Sequence, residues 1–189
     1  VFAASHQTKI KAMILSEPYS ASYYVFRENI DPVVYTNLLD RRPGIKMASI
    51  MSALGLVRYF SAVPYTGLPA EIRPLVVENY CRDDALAAML NEYENAPLRK
   101  KNVPALAPLP KVPITVIHHS VEKYRRELMT FYLSYNELER IESLWMDMLH
   151  TITEQSPYSR IIFAKKSTGN ININEPEIII ETVVSAIKK

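Results

Sequence analysis

Two adjacent histidines, His118 and His119, close the apolar run ITVIHHS, and with His6 and His150 they make up the four imidazoles of the 189-residue chain. An imidazole moves protons near neutral pH or holds a metal ion, so the spacing of these four decides which chemistry is open. Neighbours on a β-strand point to opposite faces, which predicts that His118 and His119 do not chelate one ion together. No H-E-x-x-H pattern accompanies them, and Cys81, the single cysteine, excludes a cysteine-type zinc cluster and any internal disulfide. The sequence therefore predicts no metal and no cofactor. His6 and His150 lie in helical stretches and read as partly exposed helix residues. The lone cysteine permits a reducing compartment such as the cytoplasm without requiring one.

Charge names no partner either. Twenty-two basic residues against twenty acidic ones leave a net charge of +2, too small to imply nucleic acid or an anionic membrane surface. The basic runs Leu98 to Lys101 and Lys123 to Glu127 are flanked by acids and read as solvated faces. No apolar stretch approaches the length of a membrane span. Hydrophobic residues at 48% and charged residues at 22% are the composition of a packed globular chain. Six tyrosines, Tyr19, Tyr23, Tyr24, Tyr35, Tyr59 and Tyr65, gather between residues 19 and 65, where they suit core packing or the lining of an apolar pocket.

The elements that must position these groups follow from periodicity. A short apolar strand from Ala12 to Ser16 ends at Glu17-Pro18, where proline stops it. From Tyr23 to about Asn102 apolar residues recur at three and four, the period of amphipathic helices. Asp83 and Asp84 precede ALAAMLNEYENA as cap and first-turn acids, and Pro97 closes that helix. NVPALAPLPKVP, with four prolines in twelve residues, is an extended boundary.

Beyond it, ITVIHHS has the continuous apolarity of a strand buried on both faces. The stretch from Lys123 to Gln155 is helical in period, in one piece or two, and SRIIFAKKS is the last strand. Pro176 suits the first turn of a final helix capped by Asn174. Strands alternating with helices predict an α/β fold, with parallel pairing through right-handed crossovers that gathers the carboxyl ends of the strands on one edge.

In this order the segments resemble the α/β-hydrolase family with a helical cap. VFAASHQTKIKAMILSEPYS is similar to the helix after the nucleophile elbow and the sixth strand; VPITVIHH to the seventh strand; YSRIIFAKKSTGNININEPEIIIETV to the eighth strand, the histidine loop and the last helix. The resemblance implies a partial α/β-hydrolase fold, about three parallel strands equivalent to strands six to eight with a helical cap insertion. Residues 1–22 would be core, 23–110 the cap and 111–189 core again.

The family's chemistry needs a serine on a Gly-x-Ser-x-Gly turn, a histidine base and an acid that orients it. The opening Val1-Phe2-Ala3-Ala4 falls just downstream of where that turn would stand, so the resemblance places the serine upstream of this sequence. By the same resemblance the acid is Glu17, at the end of the sixth strand, or Glu122, in VIHHSVE after the seventh. His118 matches an ordinary strand-end histidine. The base position falls on Gly169, or on Asn170 if the frame shifts by one, and neither side chain accepts a proton at neutral pH.

The resemblance thus implies a parent that hydrolyses an ester or related small acyl substrate, in a chain without turnover of its own. A small apolar acyl or ester ligand would lie in the cap pocket. The alternative is a non-catalytic module for binding a ligand or another protein. In either case the sixth strand would present an uncovered edge, which predicts association with an amino-terminal half or with a second copy.

Overall fold

The computed structural model describes residues 6–18, 24–40, 42–57, 68–95 and 109–188. Tyr19, Tyr23, Tyr59, Tyr65, Pro97, the run from Leu98 to Lys101 and the opening Val1 to Ala4 lie outside the described residues. The chain divides into two compact units, one of residues Val1–Ile30 with Val103–Lys189 and the other of Asp31–Asn102. Helix α1 (Tyr24–Asn29), expected as part of the cap, falls in the first unit.

The first unit is built on a parallel sheet of three strands, β1 (Met13–Ser16), β2 (Ile114–His118) and β3 (Arg160–Phe163), in the order β1-β2-β3. Met13 pairs with Ile114 and Ser16 with Ile117; Thr115 pairs with Arg160 and His118 with Phe163. The α/β class and the parallel pairing read from alternating strands and helices are what the sheet shows. All five residues of β2 are buried, as its unbroken apolarity requires.

The alternation of side chains along the strands sorts them between two layers. Ile114 and Val116, with Met13 and Leu15 beside them, pack on Leu149, Met146 and Ile152 of helix α7 (Tyr135–Thr153). Ile117 and Ile14 face the other way, onto Ile171 and onto Ile178 and Ile179 of the final helix. Each fully buried aliphatic side chain contributes about 1.5–3 kcal/mol, so this two-sided covering fixes the sheet.

The long helical stretch resolves into α6 (Val121–Met129) and α7. Ser134 starts α7 through a capping box: its hydroxyl accepts from the Glu137 N–H, and the Glu137 carboxylate accepts from the Ser134 N–H at 2.7 Å. Leu138, Ile141, Leu144, Trp145, Met148 and Leu149 are buried along α7 at helical spacing. Phe26 of α1 meets Trp145 at 5.0 Å between ring centroids, and Arg140 donates to Asn29 Oδ1 at 2.9 Å.

After β3 the chain forms a single turn, α8 (Ile171–Asn174), and then α9 (Pro176–Ile187). Pro176 does open the last helix, but its cap residue is Glu175 rather than Asn174, which ends α8. Glu175 turns its carboxylate back to accept the N–H groups of Lys165 and Lys166 at 2.8 and 2.7 Å, tying the loop after β3 to the head of α9.

The second unit is helical. It holds a short helix α2 (Pro32–Val34) capped by Asp31 and continued by a π-helical turn (Tyr35–Leu39), then α3 (Arg42–Ala53), α4 (Arg73–Tyr80) and α5 (Asp83–Asn95). Asp83 and Asp84 both lie in the first turn of α5, where they suit the positive end of the helix dipole. Ile45 and Leu86 are buried between α3 and α5, and the Ser52 hydroxyl donates to the Cys81 carbonyl at 2.6 Å. An apolar groove of about 360 Å³ runs between α4 and α5, lined by Ile72, Leu75, Val76 and Met89 among others. Among the described residues no helix is long and apolar enough to cross a membrane.

Candidate functional site

The carboxyl edge of the sheet gathers one carboxylate and two imidazoles. Glu17 follows β1 directly, and its N–H still donates to the Ile117 carbonyl at 2.9 Å, as the next rung of the ladder. Its φ is +45°, a left-handed backbone that disfavours any residue with a Cβ and costs on the order of 1–3 kcal/mol. That turn brings the carboxylate to the end of β2. Oε2 stands 3.1 Å from Nδ1 of His119, and Oε1 stands 3.3 Å from Nδ1 of His118.

His118 is the last residue of β2, paired with Phe163, and points to the α7 side as Ile114 and Val116 do. By strict alternation His119 would face the opposite layer. It does not, because the pleat ends at His118 and the chain turns at His119 toward Ser120, whose hydroxyl caps α6. The two rings lie side by side, 3.8 Å between centroids and inclined by 43°. The expectation that the two side chains point to opposite faces is therefore corrected: they converge on one carboxylate because only the first of them belongs to the strand. Glu17, His118 and His119 each offer a ligand atom, and these atoms all lie within 4.8 Å of one another.

A fourth group completes the cluster. Glu142 sits on the buried stripe of α7, and its Oε1 is 3.5 Å from Nε2 of His119. His119 thus bridges two carboxylates, one on each ring nitrogen. Aromatic rings wall the cluster: Trp145 at 5.6 Å from the His118 ring and 5.9 Å from His119, Tyr124 at 4.2 Å from His119, and Phe163 at 6.0 Å from His118. His118 is wholly buried and His119 nearly so, while Glu17 keeps 14% of its side chain exposed.

The electrostatics follow from this packing. Burial works to raise the Glu17 carboxyl, but the two imidazoles beside it outweigh burial and hold it at about 2. Burial works to lower His119, but hydrogen bonding and charge from Glu142 and Glu17 raise it to about 9. His119 is a charged imidazolium between two acids at neutral pH. His118 is different: among the described residues neither its Nδ1 nor its Nε2 has a hydrogen-bond partner, and Oε1 of Glu17 and Oε2 of Glu142 are buried and unsatisfied there as well. His118 Nδ1 approaches Glu17 Oε1 to 3.3 Å but out of hydrogen-bond alignment.

Of the two acids the hydrolase resemblance implies, the structure brings Glu17 to an imidazole. Glu122 goes elsewhere: it lies in the first turn of α6, 74% exposed, paired with Arg126 one turn along. The rest of that basic run is held likewise, Arg125 by Glu139 at 2.5 Å and Lys123 by the Lys166 carbonyl at 3.4 Å. Gly169 is in the loop between β3 and α8, its N–H donating to Ser167 Oγ at 3.2 Å, and a Cβ placed there would meet nothing within 4 Å. The imidazoles that face Glu17 come from the end of β2 instead. Among the described residues no serine, threonine or cysteine side chain bonds to either ring. Glu142 was not among the expected groups, although an acid within the stripe Leu138, Ile141, Trp145, Met148 marks it. In comparison with known proteins, no family model and no curated protein matches the chain.

Proposed function

We propose that the chain is the carboxyl-terminal portion of an α/β-hydrolase-type core without ester turnover of its own. β1, β2 and β3 stand for the sixth, seventh and eighth strands of that fold, and the helical unit from Asp31 to Asn102 stands for its cap. The parent activity is hydrolysis of an ester or related small acyl substrate, and the apolar groove between α4 and α5 suits a small acyl ligand. One observation carries the absence of turnover: both nitrogens of His119 are taken by carboxylates, and His118 has no hydroxyl or thiol beside it among the described residues. A carboxylate–imidazole pair without a nucleophile orients nothing that can attack.

The partner in this reading is a further parallel strand on the outer edge of β1. Met13 and Glu17 donate inward to Pro113 and Ile117, so by alternation the amides of Ile14 and Ser16 face outward. Helix α9 also leaves Ile180, Val183, Val184 and Ile187 exposed at helical spacing, with Ile187 78% accessible. A parallel sheet is stable with both faces covered and its edges paired.

Hydrogen exchange with light scattering tests this. The isolated chain is expected either to associate or to exchange the Ile14 and Ser16 amides rapidly, with protection gained when an amino-terminal hydrolase-type segment is co-expressed. A monomer in which those two amides are already protected contradicts the reading.

A further inference from the structure

We propose that Glu17, His118 and His119 form a binding site for a divalent first-row transition ion of the zinc type, with Glu142 bracing His119 from behind. The donor set is two neutral-capable imidazoles and one carboxylate, the combination that such ions select over calcium or magnesium. The spacing fits. In a tetrahedral site with bonds of about 2.0–2.1 Å, neighbouring ligand atoms stand about 3.3–3.4 Å apart. The carboxylate–imidazole separations are 3.1 Å from Oε2 to Nδ1 of His119 and 3.3 Å from Oε1 to Nδ1 of His118, one on each oxygen of Glu17, and a ligand atom from each of the three residues lies within 4.8 Å of the others.

Three independent features of the site point the same way. The His118 ring is wholly buried, and its Nδ1, unsatisfied among the described residues, stands 3.3 Å from an equally unsatisfied Oε1 of Glu17. Buried polar atoms of this kind are uncommon, and an ion is one of the few occupants that satisfies both at once. Glu142 on Nε2 of His119 is the carboxylate–histidine relay that fixes the ring and its tautomer in metal sites. The left-handed φ of Glu17 is local strain at the turn that carries the carboxylate to the imidazoles. Glu17 is also the most exposed of the three, so an ion arrives from its side.

Binding releases the proton of His119 Nδ1 and places a lone pair of each imidazole and the Glu17 carboxylate on the ion. The three protein ligands leave a fourth position for water.

The test uses the whole chain, stripped with a chelator and titrated with Co²⁺ alone. The expected result is one equivalent bound with the intense visible bands of a four-coordinate ion, displaced stoichiometrically by Zn²⁺ and not by Mg²⁺. Glu17→Gln and His119→Gln lose the bands, Glu142→Gln weakens binding about 10- to 100-fold, and His150→Gln leaves it unchanged. Imidazole ¹⁵N spectra of the unmutated chain need no folded variant: Zn²⁺ is expected to shift the ring nitrogens of His118 and His119 and to leave those of His6 and His150. Absence of saturable binding, or shifts confined to His6 and His150, overturns the proposal.

Discussion

Nδ1 of His119 lies 3.1 Å from Oε2 of Glu17, a residue 102 positions earlier, and the pair joins the ends of two neighbouring strands. A buried imidazolium that loses one of its two acids keeps its desolvation and half its compensation. Glu17→Gln is therefore expected to destabilise the chain by about 2 kcal/mol, the scale of a hydrogen bond to a charged group. Urea unfolding monitored by Trp145 fluorescence measures it. Glu122→Gln, at an exposed acid, should change the same midpoint little.

The pH dependence of the chelator-treated chain has a defined sign. His119 is raised from 6.5 to about 9, so its contribution is complete below 6.5 and fades as pH rises through 9. Glu17 is lowered from 4.5 to about 2, so its contribution is complete above 4.5 and fades as pH falls through 2. Thermal melts should therefore peak between 4.5 and 6.5 and decline toward 9. In His119→Gln the decline on the alkaline side should shrink. An unchanged alkaline limb would show that His119 is not held by its two acids.

Helix α7 carries Glu142 and Trp145 to the cluster, and the Ser134–Glu137 capping box sets where it begins. Ser134→Ala removes the hydroxyl that accepts the Glu137 N–H, and the expected loss is about 1 kcal/mol. Denaturation reads the loss, and Ser134→Asp, which restores an acceptor, should recover most of it.

Much of the scaffold was legible because the relevant physics is local. The four consecutive apolar or β-branched residues that open ITVIH require a strand covered on both faces, and β2 is that strand. Pro176 announced the start of α9 for the same reason, since its fixed φ suits a first turn. The site was harder. Alternation predicted that His118 and His119 diverge, but the pleat ends where Phe163 stops pairing, and that register belongs to the sheet rather than to either residue. No feature of glutamate signals a positive φ, so the aim of Glu17 was invisible before the chain was folded. Glu142 carried a readable sign, an acid in an apolar helical stripe, whose partner appears only when α7 is laid on the sheet.

The most direct test of the central claim is release of p-nitrophenol from a short p-nitrophenyl ester by the purified, chelator-treated chain, in which no bound ion supplies an attacking water. The account predicts a rate indistinguishable from buffer, and no change in it on Glu17→Gln, Glu122→Gln or His118→Gln. Saturable turnover that disappears with Glu17→Gln or His118→Gln would contradict it, because it would place an attacking group beside an imidazole that here has none.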